Sequence, residues 1–165
     1  MIRLFTLLAF ICIISLPANE KKQFEDDILA KHNSLRAVHK APAMKWSSTL
    51  QAVAQEWANK IAKENKMYHR NPNEYGENIY WSMGRELSGA NVTQSWYDEI
   101  KDYKYVSPGF SMKTGHFTQV VWVSSTELGC AYATAKDGGI YVVCNYNPPG
   151  NYEGEYQKNV LPKGK

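Results

Sequence analysis

Apolar residues recur at helical spacing over "SSTLQAVAQEWANKIAKEN", where Leu50, Val53, Ala54, Trp57 and Ile61 share one face. The pattern predicts an amphipathic helix, with Ser48 and Gln51 forming a capping box at its start. Upstream, "FEDDILAKHNSLRAVH" places Phe24, Ile28, Leu35 and Val38 at compatible spacing, with its acids in the first turn where the helix dipole favours them. A third helix is predicted from about Asn91 to Tyr103. On it Glu99 falls about 60° from Trp96, beside the apolar stripe, while Asp98 and Lys101 point to water.

Strand signals fall at "ENIYW", "HFTQVVWVSS", "GCAYATA" and "IYVVCNY". The second is apolar on both faces in its latter half, so it is expected to be covered on both sides. Three helices and about four strands imply an α+β fold, a three-layer α-β-α sandwich around a central, mainly antiparallel sheet. "KDGG" (136–139) marks a hairpin turn, and a three-residue loop at 136–138 would set Cys130 opposite Cys144. The alternative for those cysteines is two free thiols.

The first eighteen residues do not fit this pattern. Arg3, an apolar run from Leu4 to Ile14 and a small residue at Ala18 read as a secretory signal peptide with cleavage before Asn19. A membrane anchor would need about 20 apolar residues. The expected division is therefore 1–18 signal peptide and 19–165 one domain, secreted, with no transmembrane segment. Losing Arg3 lowers the net charge from +3 to +2, too little to argue for nucleic acid. Secretion also suits a Cys130–Cys144 disulfide and makes Asn91 of "NVT" a glycosylation acceptor.

Polar groups beside apolar faces are the candidate chemistry. Glu99 needs a partner, because burying a carboxylate alone costs several kcal/mol. A structural salt bridge would serve equally well. His116 stands at the entrance of the presumed "HFTQVVW" strand, Glu77 precedes "NIYW", and His69 lies in the "YHRNPN" loop. No pair among these four has the spacing of a local metal motif.

"GHFTQVVWVSS" and "YVVCNYNPPGNY" resemble the two signature segments of the CAP superfamily, named for cysteine-rich secretory proteins, antigen 5 and pathogenesis-related proteins. "HNSLR", "YGENIYW", "SWYDEIKDY" and "SPGFSMKTGHFTQ" fall in the family's order. The chain resembles most the single-domain Golgi-associated plant pathogenesis-related group. It differs in having Ile2 where that group carries a myristoylated glycine, and a leader where that group has none. It also lacks the cysteine-rich extension of longer secreted members, so the resemblance gives no reason to expect ion-channel block.

The resemblance implies a cleft tetrad of His69, Glu77, Glu99 and His116 holding a divalent cation, Zn²⁺ by ligand type. Since only neutral imidazole ligates, acid should weaken such binding. It implies structural roles for His32, Asn33 and Arg36, whereas His39 is read as solvated. Tyr103, Tyr105 and Phe110 of "YKYVSPGF" resemble the loop that fungal members use for sterol, which implies a sterol or fatty-acid-like lipid ligand. For Tyr103 and Phe110 the alternative is packing. Three functions compete: a non-catalytic binding module, a metal-dependent hydrolase or protease, and a secreted defence or immunomodulatory ligand for a protein receptor. The last could use Tyr146, Tyr152 and Tyr156 as a contact surface, although packing is the commoner role for such residues. Against catalysis there is no nucleophile motif, and Thr118 is the nearest hydroxyl that follows His116 in sequence.

Overall fold

The computed structural model describes residues 18–84 and 86–164. The leader expected at residues 1–18 lies outside them, apart from Ala18. The elements in order are α1 (Ala18–Val38), β1 (Lys45–Trp46), α2 (Ser48–Glu64), β2 (Gly76–Ser82), α3 (Gly89–Tyr97), a 3₁₀ turn (Asp98–Asp102), α4 (Gly115–Val121), β3 (Glu127–Thr134), β4 (Ile140–Asn147) and α5 (Tyr156–Asn159). None of the described helices is long and apolar enough to cross a membrane.

The sheet order is β1-β3-β4-β2, antiparallel except for the short β1–β3 pair. Its two faces are separated by residue parity. Leu128, Cys130, Val142, Cys144 and Tyr146 join the core formed with α1, α3 and α4. Ala131, Tyr141, Val143 and Ile79 join a second core with α2 residues Ala54, Trp57, Ala58 and Ile61. The result is the expected three-layer sandwich. A glycine is required at 129, where a Cβ would come within 2.2 Å of the Gln51 backbone nitrogen, so α2 can lie close on the sheet.

The hairpin has the anticipated register. Cys130 pairs with Cys144 across β3 and β4, Ala135 N–H donates to Gly139 O, and the two sulfurs are bonded with both residues buried.

Four local expectations are corrected. "HFTQVV" is helical, because α4 is covered from all sides: Phe117, Thr118, Gln119, Val120 and Val121 are all buried. A short run that is buried on every face carries no apolar–polar period to separate strand from helix. The fourth strand is instead the two-residue β1. The cap of α2 is Ser47, whose Oγ accepts from Leu50 N–H, while Gln51 bonds Glu25. α1 begins six residues before Phe24, so Glu25, Asp26 and Asp27 lie beyond its first turn. The third helix starts earlier, at Gly89, and tightens to 3₁₀ after Tyr97.

Arg36 is fully buried. Its Nε donates to Pro42 O at 2.8 Å, Nη1 to Val120 O and Trp122 O at 3.0 and 2.8 Å, and Nη2 to Val123 O and Ser125 O at 3.4 and 2.8 Å. Burial pulls its pKa from 12.5 to about 10, so it remains charged at neutral pH. The cation therefore sits among the carbonyls at the C-terminal end of α4, where the helix dipole favours it.

His32 and His39 are also fully buried, which corrects the reading of His39 as solvated. His39 Nδ1–H donates to Leu161 O, and the Tyr97 hydroxyl donates to its Nε2. His32 Nδ1–H donates to Ile28 O at 2.8 Å, and the Tyr146 hydroxyl donates to Nε2 at 2.9 Å. Both rings are thereby fixed as neutral tautomers, and burial lowers both pKa values, that of His32 from 6.5 to about 4.

This arrangement sets a pH dependence. Between pH 6.5 and about 4 the unfolded chain binds a proton at His32 and the folded chain does not, so stability falls as pH falls through that window. The depressed pKa corresponds to about 3 kcal/mol. Urea unfolding at several pH values should show this loss in the wild type and a shallower slope in His32→Gln. Equal slopes would contradict it.

Candidate functional site

The site is assembled from three pieces of chain: the loop after α2, strand β2, and the junction between the 3₁₀ turn and α4. Trp57 Nε1–H donates to Tyr68 O at 3.0 Å, tying the loop to α2. Arg70 bonds Glu56 at 2.8 Å with its guanidinium over the Trp57 ring. His69 is thus presented at the surface, its side chain 61% exposed, opposite a Glu77 carboxylate that is only 3% exposed. His69 Nδ1–H donates to Glu77 Oε1 at 2.7 Å, and Arg70 N–H donates to the same oxygen at 3.1 Å. Glu77 Oε2 is buried without a hydrogen-bond partner.

The second pair is built across 17 residues. Glu99 Oε1 accepts from His116 Nδ1–H at 2.7 Å. Its Oε2 accepts from the backbone N–H groups of His116 and Phe117 at 3.0 and 3.1 Å. Glu99 is therefore the acceptor for the first turn of α4, whose own N-cap Thr114 provides no side-chain bond. The partner that Glu99 required is His116 together with this helix end. The His116 ring stacks on Trp96 at 6.1 Å and 24°.

Both pairs follow one logic. A carboxylate accepts, so Nδ1 carries the proton and the Nε2 lone pair is left over. Among the described residues neither Nε2 makes a hydrogen bond. His69, Glu77 and His116 line one cleft of about 360 Å³ together with Asn78, Phe110 and Met112, while Glu99 stands behind His116. No group of three or more His, Cys, Asp or Glu among the described residues is close enough to hold a metal ion between them. What the cleft offers a cation is two imidazoles.

The aromatic loop divides. Tyr103 is buried, edge-on to Phe117 at 5.4 Å and to Tyr105 at 4.9 Å. Tyr105 is 37% exposed, and its partial burial raises its pKa to about 12. Phe110 is 53% exposed, which removes the packing alternative for it. Its ring lies over Gly115, where a Cβ would stand 3.0 Å from the ring edge, so a larger residue there would push the ring outward. Tyr103 and Phe110 share a second hollow of about 540 Å³, which Tyr105 does not line. In the tail, Tyr146 and Tyr156 are buried and only Tyr152 is exposed.

Residues 29–146 match the cysteine-rich secretory protein (CAP) family. The chain belongs to that family. It is 37% identical over 149 residues to Golgi-associated plant pathogenesis-related protein 1 of Homo sapiens, which covers 87% of this chain and 96% of that one. It is 42% identical over 135 residues to Secreted protein RBT4 of Candida albicans, covering 80% of this chain and 37% of that one. The crystal structure of NaASP2 with Zn²⁺ superposes with a TM-score of 0.68 at 25% identity, covering 92% of each chain.

The spacing of this CAP chain did not reveal the part played by Asn78, whose Nδ2 donates to His116 O at 3.2 Å and to the Tyr146 hydroxyl at 3.0 Å. Its signal was available: it lies on the face of β2 that points toward α1, at the parity opposite to Ile79. Asn91 is exposed in the first turn of α3, whereas Thr93 of the same sequon is buried and bonded to Gly89 O. The sequon can therefore be recognised only before α3 folds.

Proposed function

We propose that this CAP-domain protein is a secreted, non-catalytic binding module whose cleft takes a divalent cation and whose aromatic loop takes a sterol or fatty-acid-like lipid. One observation carries the cation reading: two imidazoles on a common cleft, each with Nδ1 held by a carboxylate and Nε2 left over. That is how histidine is oriented toward zinc, with the carboxylate behind the ring raising its basicity. Imidazole nitrogen is a donor that suits Zn²⁺, and with two of them solvent would supply the remaining positions. His69 and His116 would be the ligands, Glu99 would orient His116, and Glu77 would orient His69 while its unpartnered Oε2 accepts from cation-bound water. The solved relative described with Zn²⁺ agrees with this choice of ion. For the lipid, the support is the exposure of Tyr105 and Phe110 on one loop and the hollow that Phe110 shares with Tyr103.

Hydrolysis is the weaker reading. Thr118 is fully buried, and its hydroxyl faces Thr114 O, Gly115 O and Asn151 Oδ1 at 3.1, 3.1 and 2.6 Å. Cys130 and Cys144 are joined. A receptor-binding role would rest on Tyr152 alone of the three tail tyrosines.

Titration calorimetry with Zn²⁺ tests the cation site. His69→Ala and His116→Ala should abolish binding, and Glu99→Gln should weaken it about tenfold or more. Wild-type affinity in His116→Ala would rule the site out. For the lipid, saturable uptake of radiolabelled cholesterol should occur in the wild type and fall in Tyr105→Ala and Phe110→Ala. No saturable uptake by the wild type would defeat that part of the proposal.

A further inference from the structure

Away from the cleft, a hollow of about 350 Å³ lies between the edge strand β2 and α3. Ser88, Asn91 and Ser95 line it from α3 and its cap, at a spacing that puts them on one helix face. Tyr80 and Ser82 line it from β2, and Leu87 adds an apolar side chain from the segment between. Tyr80 and Leu87 are half-buried there, whereas Asn91 and Ser95 are exposed. Ser88 Oγ accepts from Asn91 N–H at 3.4 Å, and Ser95 Oγ donates to Val92 O at 2.7 Å. Among the described residues the hydroxyls of Tyr80 and Ser82 and the carboxamide of Asn91 make no hydrogen bond.

We infer that Asn91, the acceptor of the sequon "NVT", carries an N-linked glycan whose first N-acetylglucosamine folds back into this hollow against Tyr80. The inference rests on the reading of the chain as secreted and is independent of the cation and the lipid. Attachment joins Asn91 Nδ2 to C1 of the sugar and breaks the C1–O bond to the pyrophosphate of a lipid-linked oligosaccharide donor. The amide proton leaves with the pyrophosphate.

Three features point to this occupant. The acceptor asparagine is itself part of the wall, so the sugar is tethered where it would bind, and a tether turns a weak contact into an intramolecular one. The lining sets an aromatic ring and a leucine among hydroxyls, and a pyranose carries the matching mixture: a C–H face that lies on an aromatic side chain and a rim of hydroxyls that donate and accept. Exposed Glu86, the one ionised residue of the lining, can accept from such a hydroxyl and disfavours an anion. The hollow is at the small end of ligand-sized sites, which suits one ring and leaves the outer sugars in water. The order of events also agrees. Thr93 Oγ1 donates to Gly89 O at 2.9 Å in the folded helix, so attachment precedes the folding of α3 and the sugar is present when the hollow forms.

The test expresses the full chain in eukaryotic cells restricted to high-mannose glycans and weighs the protein from the medium by intact mass spectrometry. Endoglycosidase H then leaves one N-acetylglucosamine on the asparagine. Peptide N-glycosidase F removes that sugar too and leaves aspartate, for which Asn91→Asp is the control. The one-sugar form should melt about 3 °C above both sugar-free forms and level with the untrimmed protein. In Tyr80→Leu, which keeps an apolar side chain at that position, the increment should vanish. Nuclear Overhauser contacts between the sugar and the Tyr80 ring should appear in the wild type, and their absence would overturn the inference whether or not the variant folds. Equal melting of the one-sugar and sugar-free forms, or an undiminished increment in folded Tyr80→Leu, would overturn it as well. An unmodified Asn91 on protein from the medium would overturn it and leave secretion standing, whereas an unmodified chain retained in the cell would overturn both.

Discussion

The geometry of the cleft depends on a buried guanidinium. Arg36 projects from α1 into the end of α4 and donates five hydrogen bonds, four of them to carbonyls between Val120 and Ser125. A planar fork with five donors can satisfy divergent acceptors at once, and an ammonium cannot. Among the described residues no carboxylate pairs with Arg36, so the carbonyls alone offset the cost of burying its charge. α4 is seven residues long and too short to be stable by itself. It is held at one end by Arg36 and at the other by Glu99.

That two-ended hold explains why the cleft pairs differ. His116 and Glu99 belong to the frame: the carboxylate serves a ring and a helix end together, and the ring stacks on Trp96. His69 stands on a loop over a buried Glu77 and is largely exposed. One imidazole is therefore fixed by packing and the other by little more than its hydrogen bond. A cation reaching the cleft would meet a rigid ligand and an adjustable one, which suits a site completed by solvent. Asn78 ties the rigid side inward, linking His116 O through Tyr146 to His32 on α1.

Much of this was legible in the sequence. The period of α2, the hairpin register and the opposition of Cys130 to Cys144 follow from local spacing, and the structure reproduces them. The inward angle of Glu99 correctly demanded a partner. α4 was not legible, because its signals are not local. Its residues are buried on every side, its N-terminal acceptor comes from position 99, and its C-terminal donors come from position 36. His39 was misread for the same reason: its partners, Leu161 and Tyr97, are brought to it only by the fold. The aromatic loop was legible as a loop, and the inward turn of Tyr103 follows from its place about 20° from Trp96 on the apolar stripe of the third helix, whereas nothing in its spacing fixes how far Phe110 stands out.

The central claim is that Arg36, by fixing α4, fixes the His116–Glu99 pair with the Nε2 lone pair directed away from the carboxylate. Nitrogen NMR of the imidazole rings in wild type and Arg36→Lys, both confirmed as folded, tests it most directly. The account predicts Nδ1–H tautomers for His69 and His116 in the wild type. In the variant His116 should lose that signature while His69, which does not depend on α4, keeps it. An unchanged His116 tautomer in folded Arg36→Lys, or an Nε2–H tautomer in the wild type, would contradict it.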